Sequence, residues 1–433
     1  MSQTATPQAV PAPPPATAAA APAPPAPTAQ AADASSLNTP ALLNRWQLTG
    51  MVAVILFGIL SALVQLLGWQ ADGRAADDTA QLVRVQEIRS SLLRADALAT
   101  NGFLVGGLEK PDQRNKYDAA LDDVLRKIAD AAEAQPADRK VLADLNVAVT
   151  AYATSVAQAR DFNRVGYPVG AEYMNGASTA LRADAQPILE ALVQANTDRA
   201  QDAMDGQHPF WLFLVGLLAV AVLFWINRDL GRHFHRRINK GIAAAAAIVA
   251  VVTVVTAALA LVRDGSNDSL KDGELKTAVA EANARTAAND AKADESLRLI
   301  RRGSGDQPVI DGKSYEQFWE ESAAVVERSA SRGTRGLWDD YATQHQQIVK
   351  LDRANSWDEA VRLATSADGS SAALDAFDAA SAKIVVSNGA ATTSELHSGR
   401  GLALVLAVLT LLLGLAASLG VARGIGERRR EFA

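Results

Sequence analysis

Residues 227–240, NRDLGRHFHRRINK, form a short basic stretch between two uncharged apolar runs. The run before it, residues 209–226, reads PFWLFLVGLLAVAVLFWI, and the run after it, residues 241–262, reads GIAAAAAIVAVVTVVTAALALV. Each run is close to the ~20 residues that an α-helix needs to cross a ~30 Å hydrocarbon core. Because short basic loops stay on the cytoplasmic side of a membrane, residues 227–240 are predicted to form a cytoplasmic loop between two transmembrane helices.

Two further apolar segments complete a set of four spans. Residues 46–69 carry a tryptophan at each end, and residues 401–422 are followed by a basic tail, residues 423–433. Tryptophan is enriched where a helix meets the membrane surface. The basic loop and tail predict a multi-pass protein of the plasma (inner) membrane with both termini in the cytoplasm. The two long segments, residues 70–207 and 263–399, then lie outside the membrane.

Composition excludes several classes of function. Residues 1–44 are rich in alanine and proline and cannot bury enough apolar surface to fold, so we expect a disordered cytoplasmic tail. The chain has no cysteine, its five histidines complete no metal-binding spacing, and it is acidic overall. We therefore expect no metal, no cofactor and no nucleic-acid partner. No catalytic motif is present, and the protein is predicted not to be an enzyme.

The first long segment has the three- and four-residue apolar spacing of α-helices. Gly106, Gly107 and Pro111 break the first helix, and later breaks follow near residues 135–136 and 166–168. Asp138 is predicted to cap the third helix. Pro187 is predicted to kink the fourth helix or to move its boundary. Four antiparallel helices with short connections indicate a bundle.

The second long segment follows the same plan, with a loop at residues 303–312, a break at residues 354–357 and an interruption at residues 368–369. When the two long segments are aligned with each other, Arg89 aligns with Arg285, and after a shift of two residues in the alignment Tyr117 aligns with Tyr315. The predicted fold is all-α: four transmembrane helices with two tandem extracytoplasmic four-helix bundles that arose by internal duplication.

Charged pairs along these helices are interpreted as solvated surface, because charges that alternate in sign are typical of an exposed helix face. The four spans carry no charge, which argues against a transporter or an ion pump. The third span has small residues at four-residue spacing, which permits close helix packing within one chain or in a homodimer.

The loops that lie away from the membrane are candidate docking surfaces, since loops on a rigid scaffold often bind partners. Simple helix connections have the same composition. The candidate docking residues are Gly106, Gly107, Glu109, Tyr167, Pro168, Asp306, Asp311 and Trp357. The candidate residues for coupling to a cytoplasmic partner are Arg232, Arg236, Arg237, Arg428, Arg429 and Arg430.

The layout resembles two families. Helical bundles continuous with membrane helices are similar to the sensor domains of bacterial chemoreceptors and sensor kinases. The whole chain after about residue 40 resembles GlnX-type membrane proteins of actinobacteria. The resemblance rests on the topology and on two stretches, residues 100–121, TNGFLVGGLEKPDQRNKYDAAL, and residues 424–432, GIGERRREF.

The GlnX resemblance implies two protein partners besides the lipid bilayer: a periplasmic solute-binding lipoprotein and a cytosolic Ser/Thr kinase. It implies that the protein relays an extracellular aspartate or glutamate signal between them. Three alternatives stay open: a direct small-molecule sensor, a structural or assembly protein of the envelope, and a transporter-accessory subunit.

Overall fold

The computed structural model describes residues 39–105, 109–234 and 239–431. Throughout this part the regular elements are helices, with one isolated bridge between Ile310 and Lys313, and the all-α prediction is confirmed. Four helices are long and apolar enough to cross a membrane, which indicates a multi-pass membrane protein. The predictions for residues 1–38 and for most of the central basic loop lie outside the described residues.

Thirteen α-helices lie in the described ranges. They are α1 Thr39–Leu104, α2 Pro111–Ala134, α3 Arg139–Arg164, α4 Val169–Ala180, α5 Gln186–Met204, α6 Pro209–Phe234, α7 Lys240–Leu270, α8 Lys276–Ile300, α9 Tyr315–Ser329, α10 Arg332–Arg353, α11 Trp357–Thr365, α12 Ser370–Ser398 and α13 Arg400–Glu431. Helix α1 begins before the predicted span and includes residues 39–44, which the sequence had placed in the disordered tail.

We call the four apolar helices the stem: residues 46–69 of α1, helix α6, residues 241–262 of α7, and α13. In the stem α1 packs against α6 and α13, and α7 packs against the same two helices, so α1 and α7 lie diagonally opposite each other. Gly58 and Gly414 allow a close approach of α1 and α13, because a Cβ atom on Gly414 would lie 2.9 Å from the Cα atom of Gly58. Small residues at such crossings let backbones approach within van der Waals distance.

We call the remaining helical part, residues 70–207 and 263–399, the head. Helix α1 runs without a break from stem to head; its 66 residues span about 100 Å at 1.5 Å per residue. Helices α7 and α8 are joined by a π-helical turn, Lys271–Leu275, and form a second helix that runs from the stem into the head.

A second π-helical turn, Leu181–Ala185, joins α4 to α5 just before Pro187. Proline has no backbone N–H and its ring would clash with the carbonyl group of the preceding turn. The wider turn accommodates it, so the helix continues from Val169 to Met204. The predicted kink or boundary at Pro187 is replaced by this turn.

Each segment of the head has a large apolar cluster, and the cluster of the first segment also includes Leu297 and Tyr315 of the second segment. In the first segment, residues 70–207, aliphatic side chains of α1 to α5 such as Ile88, Val124 and Leu189 form the core. In the second segment, residues 263–399, the core of α8, α9, α10 and α12 is built on aromatic rings, including Trp338 and Phe377. Internal duplication of the two segments stays a prediction.

One local prediction was wrong. Asp138 does not cap α3; it is buried and accepts hydrogen bonds from Asn196 and Arg199. The last helix of the second segment ends at Ser398, and α13 begins at Arg400. The side chain of Arg263 packs across Gly399, where a Cβ atom would lie 2.1 Å from its guanidinium carbon. The interruption expected at residues 368–369 is present between α11 and α12.

Candidate functional site

The two segments of the head meet along α1 and α8, which lie side by side. We call this interface the seam. Polar side chains cross it: the Ser90 and Thr286 hydroxyl oxygens are 2.9 Å apart, and Arg89 donates a 3.4 Å hydrogen bond to Asn283. Hydrogen bonds therefore join the two segments across the seam.

On one side of the seam, which we call the front, an arginine of α1 reaches across to α12. Arg94 lies 2.8 Å from Asp375 and 3.5 Å from Asp378. Asp378 also accepts hydrogen bonds of 2.8 and 3.0 Å from Arg285 of α8. Burial alone would raise the pKa of Asp378, but the nearby Arg285 and Arg94 hold the pKa of this carboxyl below its usual value. The front therefore carries a charged, ionised network.

On the opposite side, the back, Arg182 links the two segments. Its guanidinium lies 3.2 Å from Asp96 of α1, 2.5 Å from Asp290 and 3.3 Å from Asp294, both on α8. One positive charge thus faces three carboxylates. Arg182 lies in the π-helical turn of α4 and α5, and such turns occur frequently at functional sites.

Asp96 is fully buried and receives hydrogen bonds from Tyr152, at 3.0 Å, and from Ser178, at 2.6 Å. Burial raises the pKa of the Asp96 carboxyl, and the opposing effect of Arg182 and the two hydroxyl donors is smaller. Burial also raises the pKa of Asp294 well above its usual value. Burial at the back of the seam therefore opposes ionisation of the Asp96 and Asp294 carboxyl groups.

Each side of the seam has a cavity. The front cavity has a volume of about 420 Å³ and lies between α1, the start of α2, α8 and the start of α12. The back cavity has a volume of about 400 Å³ and lies between α1, α5, α8 and α9. Four basic and two acidic residues line the front cavity, whereas two basic and four acidic residues line the back cavity. The two cavities are therefore of opposite charge.

The second segment also buries an ionic network inside its own core. Lys292 donates to Glu295, at 2.6 Å, and to Ser370, at 2.8 Å; Glu295 also lies 2.9 Å from the Nδ1 atom of His345. The His345 ring stacks on Trp319 with 3.8 Å between ring centroids. Burial would raise the pKa of Glu295, but Lys292 and His345 lower it to about 2.

Sequence reasoning missed these buried charges. Glu281, Lys292, Glu295 and Arg298 lie on α8, whose charges alternate in sign as on a solvated face. One signal pointed the other way: α8 is dense in alanine, and small side chains let neighbouring helices approach from all sides. The alanines of α8 that are buried are Ala278, Ala282, Ala284, Ala287, Ala288, Ala291 and Ala293.

The predicted docking residues of the first segment divide into three groups. Gly106 and Gly107 lie outside the described residues. Glu109 is half-buried and bonded to Arg160 at 3.2 Å, so it belongs to the interior of the segment. Tyr167 and Pro168 are exposed, at the turn that leads into α4.

In the second segment, Asp306 accepts hydrogen bonds from Arg298 and Arg353, which lower the pKa of its carboxyl. Asp311 is exposed in a turn with a positive φ of 49°. Trp357 donates a 2.8 Å hydrogen bond to the carbonyl oxygen of Leu299 and is anchored to α8. Docking at these residues stays a prediction, but Asp306 and Trp357 already have structural partners.

The candidate coupling residues that the structure describes lie at the end of the stem away from the head, which we call the basic end. Arg232 is exposed on the last turn of α6. Arg236 and Arg237 lie outside the described residues, and Arg428, Arg429 and Arg430 lie on α13. Their role in coupling stays a prediction.

Comparison with known proteins bears on the first segment. Residues 71–205 match the family model described as an actinobacterial sensor domain. No curated protein and no solved structure matched the chain. The matched residues include Asp96 and Arg182, and thus one half of the seam. Together with the four apolar helices, the match fits an actinobacterial membrane sensor with a role in signal transduction.

Proposed function

We propose that the protein is a transmembrane signal transducer of the GlnX type. In this proposal, a periplasmic solute-binding lipoprotein that has captured aspartate or glutamate docks on the head, and the basic end presents a changed surface to a cytosolic Ser/Thr kinase. The observation that carries the proposal is the path of two long helices, α1 and the continuous helix formed by α7 and α8. These helices lie side by side in the head and diagonally opposite in the stem.

This geometry couples the head to the stem. A slide or tilt of α1 against α8 at the seam requires α1 and α7 to move relative to α6 and α13, which separate them in the stem. A partner shifts such an equilibrium only by its difference in affinity for the two arrangements. The polar seam supplies contacts that can differ between arrangements, and the continuous helices carry the difference to the basic end.

The head offers one apolar surface for a docking protein, which we call the distal patch: Val165, Tyr167, Val169 and Tyr173. All four side chains are exposed, and Phe162 stacks on Tyr173 with 4.9 Å between ring centroids. Aromatic side chains are enriched at protein interfaces. Val169 and Tyr173 of the distal patch lie on α4, which continues into the π-helical turn that contains Arg182. Docking at the distal patch would therefore act on the seam.

The docking step can be tested by photo-crosslinking in actinobacterial cells. A benzophenone amino acid replaces Tyr167 in the distal patch, or Val147 on α3, which is similarly exposed and serves as the matched control. We expect a crosslink to a solute-binding lipoprotein from residue 167 and not from residue 147. Equal labelling at both positions, or labelling of neither, contradicts docking at the distal patch.

The output step is tested by charge reversal at the basic end. Replacing Arg236 and Arg237 by glutamate, or Arg428 to Arg430 by glutamate, is expected to abolish the kinase-dependent phosphorylation response to extracellular glutamate while the protein remains in the membrane. A normal response in both variants contradicts coupling through the basic residues.

A second candidate function is direct sensing of a small molecule by the head. The front cavity favours it, because it joins both segments of the head and is lined by charged side chains.

A further inference from the structure

We propose that the front cavity binds a small organic anion that also carries an O–H or N–H donor. The ligand would contact this chain directly, so the inference goes beyond the relay described above and does not depend on a binding protein. Its support comes from the charge of the cavity, from buried oxygen atoms that lack a partner, and from the place of the cavity in the fold.

The charge of the lining favours an anion. Arg94, Lys110 and Lys116 face the cavity from α1 and the start of α2. Lys292 of α8 also lines the cavity, but its ammonium group is already paired with Glu295. The acidic residues are only Asp112 and Asp375 among the described lining. Lys110 and Lys116 are exposed, so their side chains can turn toward a bound carboxylate without a change in the helices. Hydrogen bonds between such ammonium groups and a carboxylate are stronger than neutral ones.

Two buried amide oxygens in the lining have no donor. Asn289 is fully buried, and its NH₂ group donates to Asp378, at 2.8 Å, and to the carbonyl oxygen of Arg285, at 2.9 Å. These two acceptors fix the orientation of the amide and leave Oδ1 without a partner among the described residues. The Oδ1 atom of Asn101, on α1, is likewise unpartnered, and Asn101 is 8% exposed.

A buried acceptor without a donor costs about 1–3 kcal/mol of stability. A ligand that brings an O–H or N–H group to these oxygens removes that cost, and a ligand without such a group does not. The cavity thus contains basic side chains that can bind a ligand carboxylate and amide oxygens that can accept a hydrogen bond from a ligand O–H or N–H group. This combination selects a hydroxy or amino carboxylate over a plain carboxylate.

The cavity lies where a ligand would act on the seam. Arg94 and Asn101 belong to the first segment, whereas Asn289 and Asp375 belong to the second. A carboxylate near Arg94 would compete with Asp375 and Asp378 for its guanidinium, which now lies 2.8 Å from Asp375. Binding would therefore exchange a contact across the seam for a contact with the ligand.

The test uses the full-length protein in detergent and three four-carbon compounds: L-malate, succinate and putrescine. Malate and succinate differ by one hydroxyl group, and putrescine is a cation. Calorimetry is expected to show that malate binds about tenfold more tightly than succinate, which corresponds to one hydrogen bond, and that putrescine does not compete. Equal affinity for malate and succinate overturns the role of the amide oxygens. No malate binding at about 10 mM, where a ~1 mM site would be nearly saturated, overturns the site.

Variants locate the binding to the front cavity. The double variant Lys110→Gln and Lys116→Gln changes exposed side chains only and is expected to weaken malate binding about tenfold. Asn101→Leu is expected to remove the preference for malate over succinate. Lys140→Gln, on the exposed face of α3, is the control and should change neither affinity. Unchanged malate affinity in the double lysine variant overturns the proposal even if Asn101→Leu does not fold.

The outcome is separable from the proposed relay. Loss of the anion site leaves the crosslink from residue 167 unaffected, because the distal patch does not line the front cavity. Failure of the crosslinking and charge-reversal experiments leaves the affinities for malate and succinate unaffected.

Discussion

The two segments of the head share a helical layout and differ in what their cores contain. The first segment is closed by aliphatic side chains and buries the carboxyl group of Asp96 beside the seam. The second segment wraps aromatic rings around Lys292, Glu295 and His345, all nearly inaccessible to solvent. Aliphatic packing tolerates changes of pH, whereas a buried ionic network requires each partner to keep its charge. The second segment should therefore be the more sensitive to charge and pH.

The largest expected effect breaks the ionic network of the second segment. Glu295→Gln leaves the Lys292 ammonium buried without a counter-ion, and we expect a loss of about 4 kcal/mol in the free energy of unfolding. Tryptophan fluorescence separates the second segment from the first, because Trp319, Trp338 and Trp357 belong to the second segment and residues 70–207 contain no tryptophan. The four tryptophans of the stem, Trp46, Trp69, Trp211 and Trp225, contribute a common background to the wild type and the variant. A loss below about 1 kcal/mol, the value for exposed pairs, would contradict a network that is excluded from water.

The next effect concerns pH and His345. Burial would lower the pKa of this imidazole, but its hydrogen bond to Glu295 and the Glu316 carboxylate, 3.5 Å from Nε2, raise the pKa above the usual value. Its contribution to stability is therefore complete below the unfolded pKa of ~6.5 and is lost as the pH rises through the folded pKa. The pKa of Glu295 is lowered to about 2. Its contribution to stability is therefore complete above the unfolded pKa of ~4.5 and is lost as the pH falls from there through the folded pKa.

These directions place the highest stability of the second segment between pH ~4.5 and ~6.5. His345→Gln keeps a donor for Glu295 but removes the charge, and we expect a cost of about 2–3 kcal/mol at pH 6. The difference between the wild type and the variant should shrink as the pH rises toward 9. A difference that stays constant with pH would show that the histidine is neutral in the folded protein.

The smallest effect is expected in the first segment, from Asp96→Asn. Burial outweighs Arg182 in setting the pKa of Asp96, so the negative charge adds little net stability. The amide oxygen can still accept the hydrogen bonds of Tyr152 and Ser178. We expect a cost of about 1 kcal/mol, measured by hydrogen exchange of α3 and α4. A cost as large as that of Glu295→Gln would contradict the distinction between the two segments.

Much of the fold was readable from the sequence because its determinants are local. Apolar runs and the proline and glycine residues between them mark the spans, the helices and the interruption before α12. The failures have long-range causes. Asp138 was taken for a cap, but it bonds to Asn196 and Arg199, which lie far along the chain. The alternating charges of α8 predict a solvated face, and apart from its many alanines nothing in the sequence of α8 indicates that α1, α9 and α12 surround it.

The seam was missed for the same reason. Arg182, Asp96 and Asp290 lie on three different helices, and each one alone resembles an ordinary surface residue. Only the packing of α1 against α8 brings them within hydrogen-bond distance. The predicted docking residues were easier to find, because exposed turns contain glycine, proline and aromatic residues in sequence.

The proposed relay requires that a change at the seam moves α1 relative to α7 at the basic end of the stem. The chain has no cysteine, so spin labels can be placed at Asn44→Cys on α1 and Lys240→Cys on α7, both exposed. The distance between the labels is measured by pulsed electron resonance with the seam intact and with Arg182→Gln, and Lys140→Gln serves as the control.

We predict that Arg182→Gln shifts or broadens the distance distribution and that Lys140→Gln leaves it unchanged. Faster hydrogen exchange of α8 confirms that the seam has opened in the Arg182 variant. An open seam with an unchanged distance at the basic end would contradict transmission through α1 and α7.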